Sequence, residues 1–194
     1  MLMFKFKTII ILLTLMVIKL PFLSIAQRTP KNKSKISEED IILSLEIHNN
    51  ARKDVGTPPL KWSIELANDA QKYADYLAWR NRGLIHSKSR RDQGENLYMV
   101  IRIGNSSSIT EYPGREASAR WYREIKNYRY SKIRLLPFFK KWKLILFRRI
   151  GHYTQMIWES TTEVGIGWSI SKSGHLYVVA RYSPAGNNLW KFPY

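Results

Sequence analysis

Four histidines, His48, His86, His152 and His175, and fifteen acidic side chains carry most of the chemistry this sequence can offer. Cysteine is absent, which excludes a disulfide framework, a thiolate zinc knuckle, an iron-sulfur cluster and a thiol nucleophile. The sequence also holds no Gly-x-Ser-x-Gly elbow, no His-Glu-x-x-His and no glycine-rich phosphate loop, so the common hydrolase and nucleotide signatures are missing. What remains is imidazole with carboxylate. His86 lies in a polar loop just before Gly94-Glu95-Asn96-Leu97, and His152 follows Gly151. Neutral imidazole beside a carboxylate can ligate a borderline divalent ion such as zinc, or polarise a water as general base. Spacing alone leaves two readings open, a shared site and two separate surface histidines. His48 falls within an apolar helical stripe and reads as a packed, hydrogen-bonded core residue, whereas His175 follows Gly174 at a turn and reads as solvated.

The elements that must position these groups are helices first and strands later. Ser37 followed by Glu38-Glu39-Asp40 supplies an N-cap and an acidic first turn, and Ile41, Ile42, Leu45, His48 and Arg52 continue at helical spacing toward Gly56. Thr57-Pro58-Pro59 ends that helix. Ser63 then caps a second, with Leu66, Ala70, Tyr73 and Leu77 on one face. Residues 81 to 94 and 102 to 114 read as loops, and Ala117, Trp121 and Ile125 mark a third helix. Tyr153 to Trp158, Val164 to Ile170 and Leu176 to Tyr182 are short and rich in aromatic and β-branched residues, which predicts three strands, with His152 opening the first. Ser171-Lys172-Ser173-Gly174 predicts a hairpin between the last two. The order argues for an α+β domain rather than repeated βαβ units.

Residues 1–26 carry Lys5 and Lys7, an aliphatic run from Thr8 to Ile18, and small residues at Ser24 and Ala26. They read as a secretory signal peptide, with the mature chain starting at Gln27. The alternative is an uncleaved anchor that keeps the protein membrane-associated in the secretory pathway. Residues 27–36 read as a basic, mobile N-terminal arm, and residues 37–190 as the folded domain. Asn32 and Asn105 stand in glycosylation sequons. The formal charge of +17 favours anionic surfaces such as a membrane. Nucleic acid is set aside, since no helix-turn-helix, zinc-finger or RNA-recognition pattern is present. Residues 131–150 hold seven basic side chains, no acid, and a dense set of Leu, Ile, Phe and Trp. Such a run suits a lipid-docking insertion, a buried element or a misread exon.

Several phrases together resemble the CAP superfamily, the cysteine-rich secretory, antigen 5 and pathogenesis-related 1 proteins that share the SCP domain. They are HNNAR at 48–52, GTPPLKW at 56–62, GENL at 94–97, WYREIKNY at 121–128, GHYTQMIW at 151–158 and VVARYSPAGN at 178–187. With Ala180 where many secreted relatives have Cys, the chain is most similar to the Golgi-associated pathogenesis-related branch. The resemblance implies a three-layer α-β-α sandwich with a central antiparallel sheet. It also implies a cleft with two histidines and two acids, which carry over onto His86, Glu95, Glu124 and His152. Divalent-ion binding there, zinc for example, and binding of sterols or other lipids are what the resemblance implies; a protein partner and a weak homodimer are further expectations. No cofactor is needed for the fold itself. Two departures stand out: the stretch before GHYTQ is normally polar and poor in hydrophobics, and the Golgi-associated branch generally lacks a signal peptide.

These readings converge on a secreted, non-enzymatic module that binds lipid, sterol or protein and carries a metal-capable His/Glu cleft. The alternative is a metal-dependent hydrolase in which His86 and His152 hold the ion and Glu95 or Glu124 moves the proton.

Overall fold

The structure, a computed structural model, describes residues 31–90, 92–102, 110–131 and 149–194. The signal-peptide reading of 1–26, the sequon at Asn105 and most of the basic run, 132–148, lie outside the described residues.

Ser37 and Ser63 start the first two helices as their sequence positions predict. Ser37 Oγ accepts from the Asp40 backbone N–H at 3.2 Å and opens α1, Glu38–Asp54. Ser63 does the same for α2, Ile64–Arg80. Each cap satisfies one of the unpaired N–H groups of a first turn. In α1 the buried side is more polar than its sequence suggested: Asp40, Ser44, His48, Ala51 and Arg52 face inward, while Ile42 is 65% exposed. Every one of those polar groups has partners. Asp40 accepts from the backbone N–H groups of Gly114 and Arg115 at 2.8 and 2.7 Å, so it holds the first turn of α3, Pro113–Tyr122. A 3₁₀ turn, Arg123–Asn127, follows α3 directly.

The sheet has four strands in the order β1-β3-β4-β2. These are β1 Lys61–Trp62, β2 Gly94–Val100, β3 Glu163–Ile170 and β4 Leu176–Ser183. The three long strands pair antiparallel, and the two-residue β1 runs parallel to β3, so the sheet is mixed rather than wholly antiparallel. The hairpin predicted at Ser171–Gly174 joins β3 to β4, closed by Ser171 N–H to His175 C=O at 2.9 Å. Helices cover both faces and make the α-β-α sandwich. Val164, Ile166, Val178, Ala180 and Tyr182 pack with Trp121 and Met156 on one face, and Tyr177 and Val179 pack against α2 on the other. The two-residue period of the strands explains this division.

Three further sequence expectations fail. Tyr153 to Trp158 is not a strand, because residues 149–156 form a helix, α4, and His152 sits within it. Ile150, Tyr153, Met156 and Ile157 are buried there, three to four residues apart, and burial of that face outweighs the strand preference of aromatic and branched side chains. The last part of the expected mobile arm, residues 31–36, is fastened down. Lys33 N–H donates to Asn68 Oδ1, Lys35 N–H to Gln71 Oε1 and Ser34 Oγ to Ile166 C=O, and Ile36 is buried. His175 is half-buried rather than solvated, its Nδ1 accepting from Arg102 N–H at 3.0 Å.

His48 behaves as the core residue its stripe suggested. It is fully buried, with Nδ1 2.8 Å from Ser44 C=O and Nε2 2.9 Å from the Tyr182 hydroxyl. Burial pulls its pKa down to about 4, the Ser44 carbonyl resisting and the Arg52 charge adding to the fall. The unfolded chain therefore takes up this proton near the ordinary value of 6.5, while the folded one refuses it. Stability from this site is present above that value and is lost as pH falls toward about 4, an effect of about 3 kcal/mol. Urea unfolding across this window should show a smaller acid loss for His48→Gln than for the unsubstituted protein. Equal losses would assign the acid sensitivity to other groups.

Candidate functional site

Each site residue is delivered by a different element. His86 sits on the loop between α2 and β2, which starts where Asn81 ends α2 in a left-handed conformation. The loop is pinned by Tyr73, whose hydroxyl donates to Ile85 C=O at 2.6 Å. Glu95 is the second residue of β2, Glu124 lies in the 3₁₀ turn, and His152 in α4.

Two imidazole-carboxylate dyads result. His86 Nδ1 meets Glu95 Oε1 at 2.6 Å, and His152 Nδ1 meets Glu124 Oε1 at 2.7 Å. In both the carboxylate is the more buried partner, with the Glu95 side chain 0% exposed against 56% for His86. An imidazole that donates from Nδ1 to a carboxylate keeps its lone pair on Nε2. His86 and His152 both line one cleft of about 950 Å³, whose wall includes Glu95, Asn96, Gln155 and Asn187. A second hollow of about 470 Å³ shares His152, Leu84 and Leu97 with it and reaches Glu124. His86, Glu95 and His152 thus line the larger cleft, and Glu124 lines the neighbouring hollow. Among the described residues no three His, Asp or Glu side chains come together as a metal-holding group. The arrangement is two pairs, with the acids behind the imidazoles.

Glu124 is fully hydrogen-bonded, and Glu95 is so through one oxygen. Glu124 Oε2 accepts from the backbone N–H groups of His152 and Tyr153 at 2.9 and 3.2 Å. Glu95 Oε1 also accepts from Ser87 N–H at 3.1 Å, and its Oε2 lies 3.1 Å from Arg181 Nη2 in a close ion pair. That pair follows from register, since Glu95 and Arg181 are directly opposed on β2 and β4.

Several residues that hold the site escaped the sequence reading although they lie within its quoted phrases. Asn96 donates from Nδ2 to His152 C=O at 3.1 Å and to the Tyr182 hydroxyl at 3.0 Å. The Trp121 ring stacks near His152, with centroids 6.1 Å apart. Gln155 passes between Gly94 and Gly186, where a Cβ on either glycine would lie within 2.7 Å of its amide. Gly186 N–H donates to Gln155 Oε1 at 3.0 Å, and Asn187 Nδ2 to Gly151 C=O at 2.8 Å. GENL, GHYTQ and PAGN are therefore three sides of one packed unit, and the signal that could have found these residues is the clustering of small and amide side chains around each acid and histidine.

Comparison with known proteins agrees with this architecture. Residues 45–182 match the family described as CAP, the cysteine-rich secretory protein family. Golgi-associated plant pathogenesis-related protein 1 of Homo sapiens is 38% identical over 145 residues, spanning 74% of this chain and 81% of that protein. Pathogenesis-related leaf protein 4 of Solanum lycopersicum is 31% identical over 150 residues, 77% of this chain and 80% of that protein. Among solved structures, NaASP2 with Zn2+ superposes with a TM-score of 0.65 at 27% identity, covering 85% of this chain and 88% of that one. Among the described residues no helix is long and apolar enough to cross a membrane. The matched span, the shared phrases and the α-β-α sandwich together make this chain a member of the CAP family of cysteine-rich secretory proteins.

Proposed function

We propose that the chain is a secreted binding protein whose cleft holds a divalent ion such as zinc between His86 and His152 and receives lipid, sterol or a protein segment alongside it. The observation that carries the reading is the pair of imidazoles on one cleft, each tied through Nδ1 to a glutamate less exposed than itself. The donor set fits zinc: the Nδ1 of each ring is taken up by a carboxylate, which leaves Nε2 to ligate, and a carboxylate behind a ligating histidine orients the ring. His86 and His152 would hold the ion, with Glu95 and Glu124 as their supports and water or ligand completing the shell. When bound, zinc would supply a Lewis-acid anchor for an oxygen of the ligand. The solved relative with Zn2+ supports the choice of metal. Leu84 and Ile85, which are 44% and 45% exposed, line the same cleft and suit an apolar ligand. Secretion rests on residues 1–26.

The hydrolytic alternative gains nothing from the geometry. A general base needs a carboxylate oxygen open to water in the cleft; three of the four oxygens of Glu95 and Glu124 accept hydrogen bonds, and the fourth, Glu95 Oε2, is buried beside Arg181 and away from water.

Calorimetric titration of chelator-stripped protein with zinc at about pH 7 tests the proposal. Binding should involve one ion per chain. His86→Ala and His152→Ala should each lose affinity by about a hundredfold or more, and Glu124→Gln by about 10- to 100-fold. Circular dichroism reports whether each variant is folded. Zinc binding unchanged in both histidine variants, or none by the unsubstituted protein, would discard the metal reading.

A further inference from the structure

A hollow of about 300 Å³ opens between α2 and the loop leading to β2, and Arg181 of β4 forms part of its wall. Arg181 is 3% exposed. Its Nη2 faces Glu95, yet Nε and Nη1 are buried and make no hydrogen bond among the described residues. A guanidinium carries five N–H donors and keeps its charge in proteins. Buried donors without acceptors are uncommon in native folds, and each one calls for an explanation. Glu95 Oε1 is committed to His86 and Ser87, Oε2 lies beside Nη2 without a hydrogen bond of its own, and the Tyr73 ring lies 5.2 Å from the guanidinium carbon; none of these gives Nε or Nη1 an acceptor.

The rest of the wall supplies further donors. Arg90 and Lys72 line the hollow together with the hydroxyls of Ser87 and Ser89. Burial pulls the Arg181 guanidinium below its ordinary range, Glu95 opposes this, and the like charge of Arg90 adds to the fall. Asp69 is the acid on this wall, and it already accepts from Lys72 Nζ at 3.2 Å and Gln93 Nε2 at 3.1 Å. Three cations against Asp69 and Glu95 leave one positive charge, and two guanidiniums that repel each other across a cavity are both relieved by an anion placed between them.

We propose that this hollow is an anion site for a phosphate monoester, its oxygens received by Arg181 and Arg90 and by the hydroxyls of Ser87 and Ser89. Two planar forks with hydroxyls suit a tetrahedral oxyanion with three terminal oxygens better than a carboxylate with two. The volume admits the phosphate and a small alcohol portion. The hollow shares Arg90 and Gln93 with the wall of the His86/His152 cleft, and the proposal does not depend on a metal there.

The test uses the whole protein with a chelator present, so that no metal binds phosphate in the cleft. Titration with inorganic phosphate and with glycerol 3-phosphate, followed by nitrogen-15 NMR, should shift the Arg181 Nε–H signal and the amides of 87–90 saturably. Arg90→Gln, at a half-buried loop position, should weaken binding by about tenfold, the worth of one charge-assisted contact. Ser89→Ala, at an exposed position, should weaken it less. The ester has two sources, and vesicles of phosphatidylcholine doped with phosphatidic acid separate them. Binding of both ester and vesicles, each weakened by Arg90→Gln, assigns the site to a lipid headgroup. Binding of the soluble ester alone assigns it to a free metabolite. No saturable shift at Arg181, vesicle binding without ester binding, or an affinity unchanged in Arg90→Gln overturns the proposal.

Discussion

Arg52→Met is expected to destabilise the domain by about 4 kcal/mol. Arg52 is completely buried, and its guanidinium donates to carbonyl oxygens instead of a carboxylate. Nη1 reaches Met156 and Trp158 at 3.1 and 2.8 Å, Nη2 reaches Glu159 and Thr161 at 3.4 and 2.9 Å, and Nε reaches Pro58. Burial lowers its pKa to about 10, with Glu159 and Tyr182 holding it up, so the group stays charged at neutral pH. Methionine has comparable reach and no donor, and it would leave those carbonyls unpaired in the interior. Lysine keeps the charge and has only three donors on a flexible stem, so Arg52→Lys should fall between the two. Four of these five carbonyls belong to the end of α4 and the segment after it, which carries His152 on its preceding turns. Affinity at the proposed zinc site should therefore fall in Arg52→Met although Arg52 does not line the cleft. Urea unfolding with its slope checks the first part, and a loss under about 1 kcal/mol would mean that water replaces the guanidinium.

Gly165→Ala is the second large effect. A Cβ at Gly165 would stand 2.1 Å from the Ala67 backbone nitrogen, 2.5 Å from Leu66 C and 2.7 Å from Ser63 O. All three are main-chain atoms, so no side chain can rotate away and α2 must lift from the sheet. Gly165 and Gly167 lie on the face of β3 that meets α2, opposite the Val164 and Ile166 face. The helix answers with Ala67, Ala70 and Ala74, all fully buried, which is how it comes this close. Lifting it would break the Gln71 Nε2 bond to Trp168 C=O, now 2.8 Å. A loss of about 3 kcal/mol, and a fall in melting temperature of roughly 10 °C, is expected. Tyr73 on the same helix pins the loop that carries His86, so binding at the proposed zinc site should weaken with it. A melting temperature within about 2 °C of the unsubstituted protein would show that the sheet yields instead.

Much of this fold was legible in the sequence because its cues are local. A serine hydroxyl reaches its own first turn, so Ser37 and Ser63 mark the helix starts directly. Ser171–Gly174 closes a turn within itself, with Gly174 at φ +79°. His48 was readable as a core residue from its place in a helical stripe. Composition without period misled at residues 153–158, where side chains common in strands occupy a helix. β2 escaped notice for the converse reason. Gly94, Glu95 and Asn96 are weak strand formers, and they are extended because β4 pairs with them.

Residue types by themselves determined which reactive groups exist here: imidazoles and carboxylates, with no thiol, and an excess of positive charge. The resemblance of short phrases pointed to four of them, His86, Glu95, Glu124 and His152. Which imidazole meets which acid was decided only by tertiary structure, because the partners lie 9 and 28 residues apart and are joined by loop and helix placement. The same holds for Arg52 reaching carbonyls more than a hundred residues away, and for Arg181, which faces Glu95 through strand register alone. A hydrogen bond needs its two atoms within about 3 Å, and no spacing rule along the chain carries that information between elements the fold brings together.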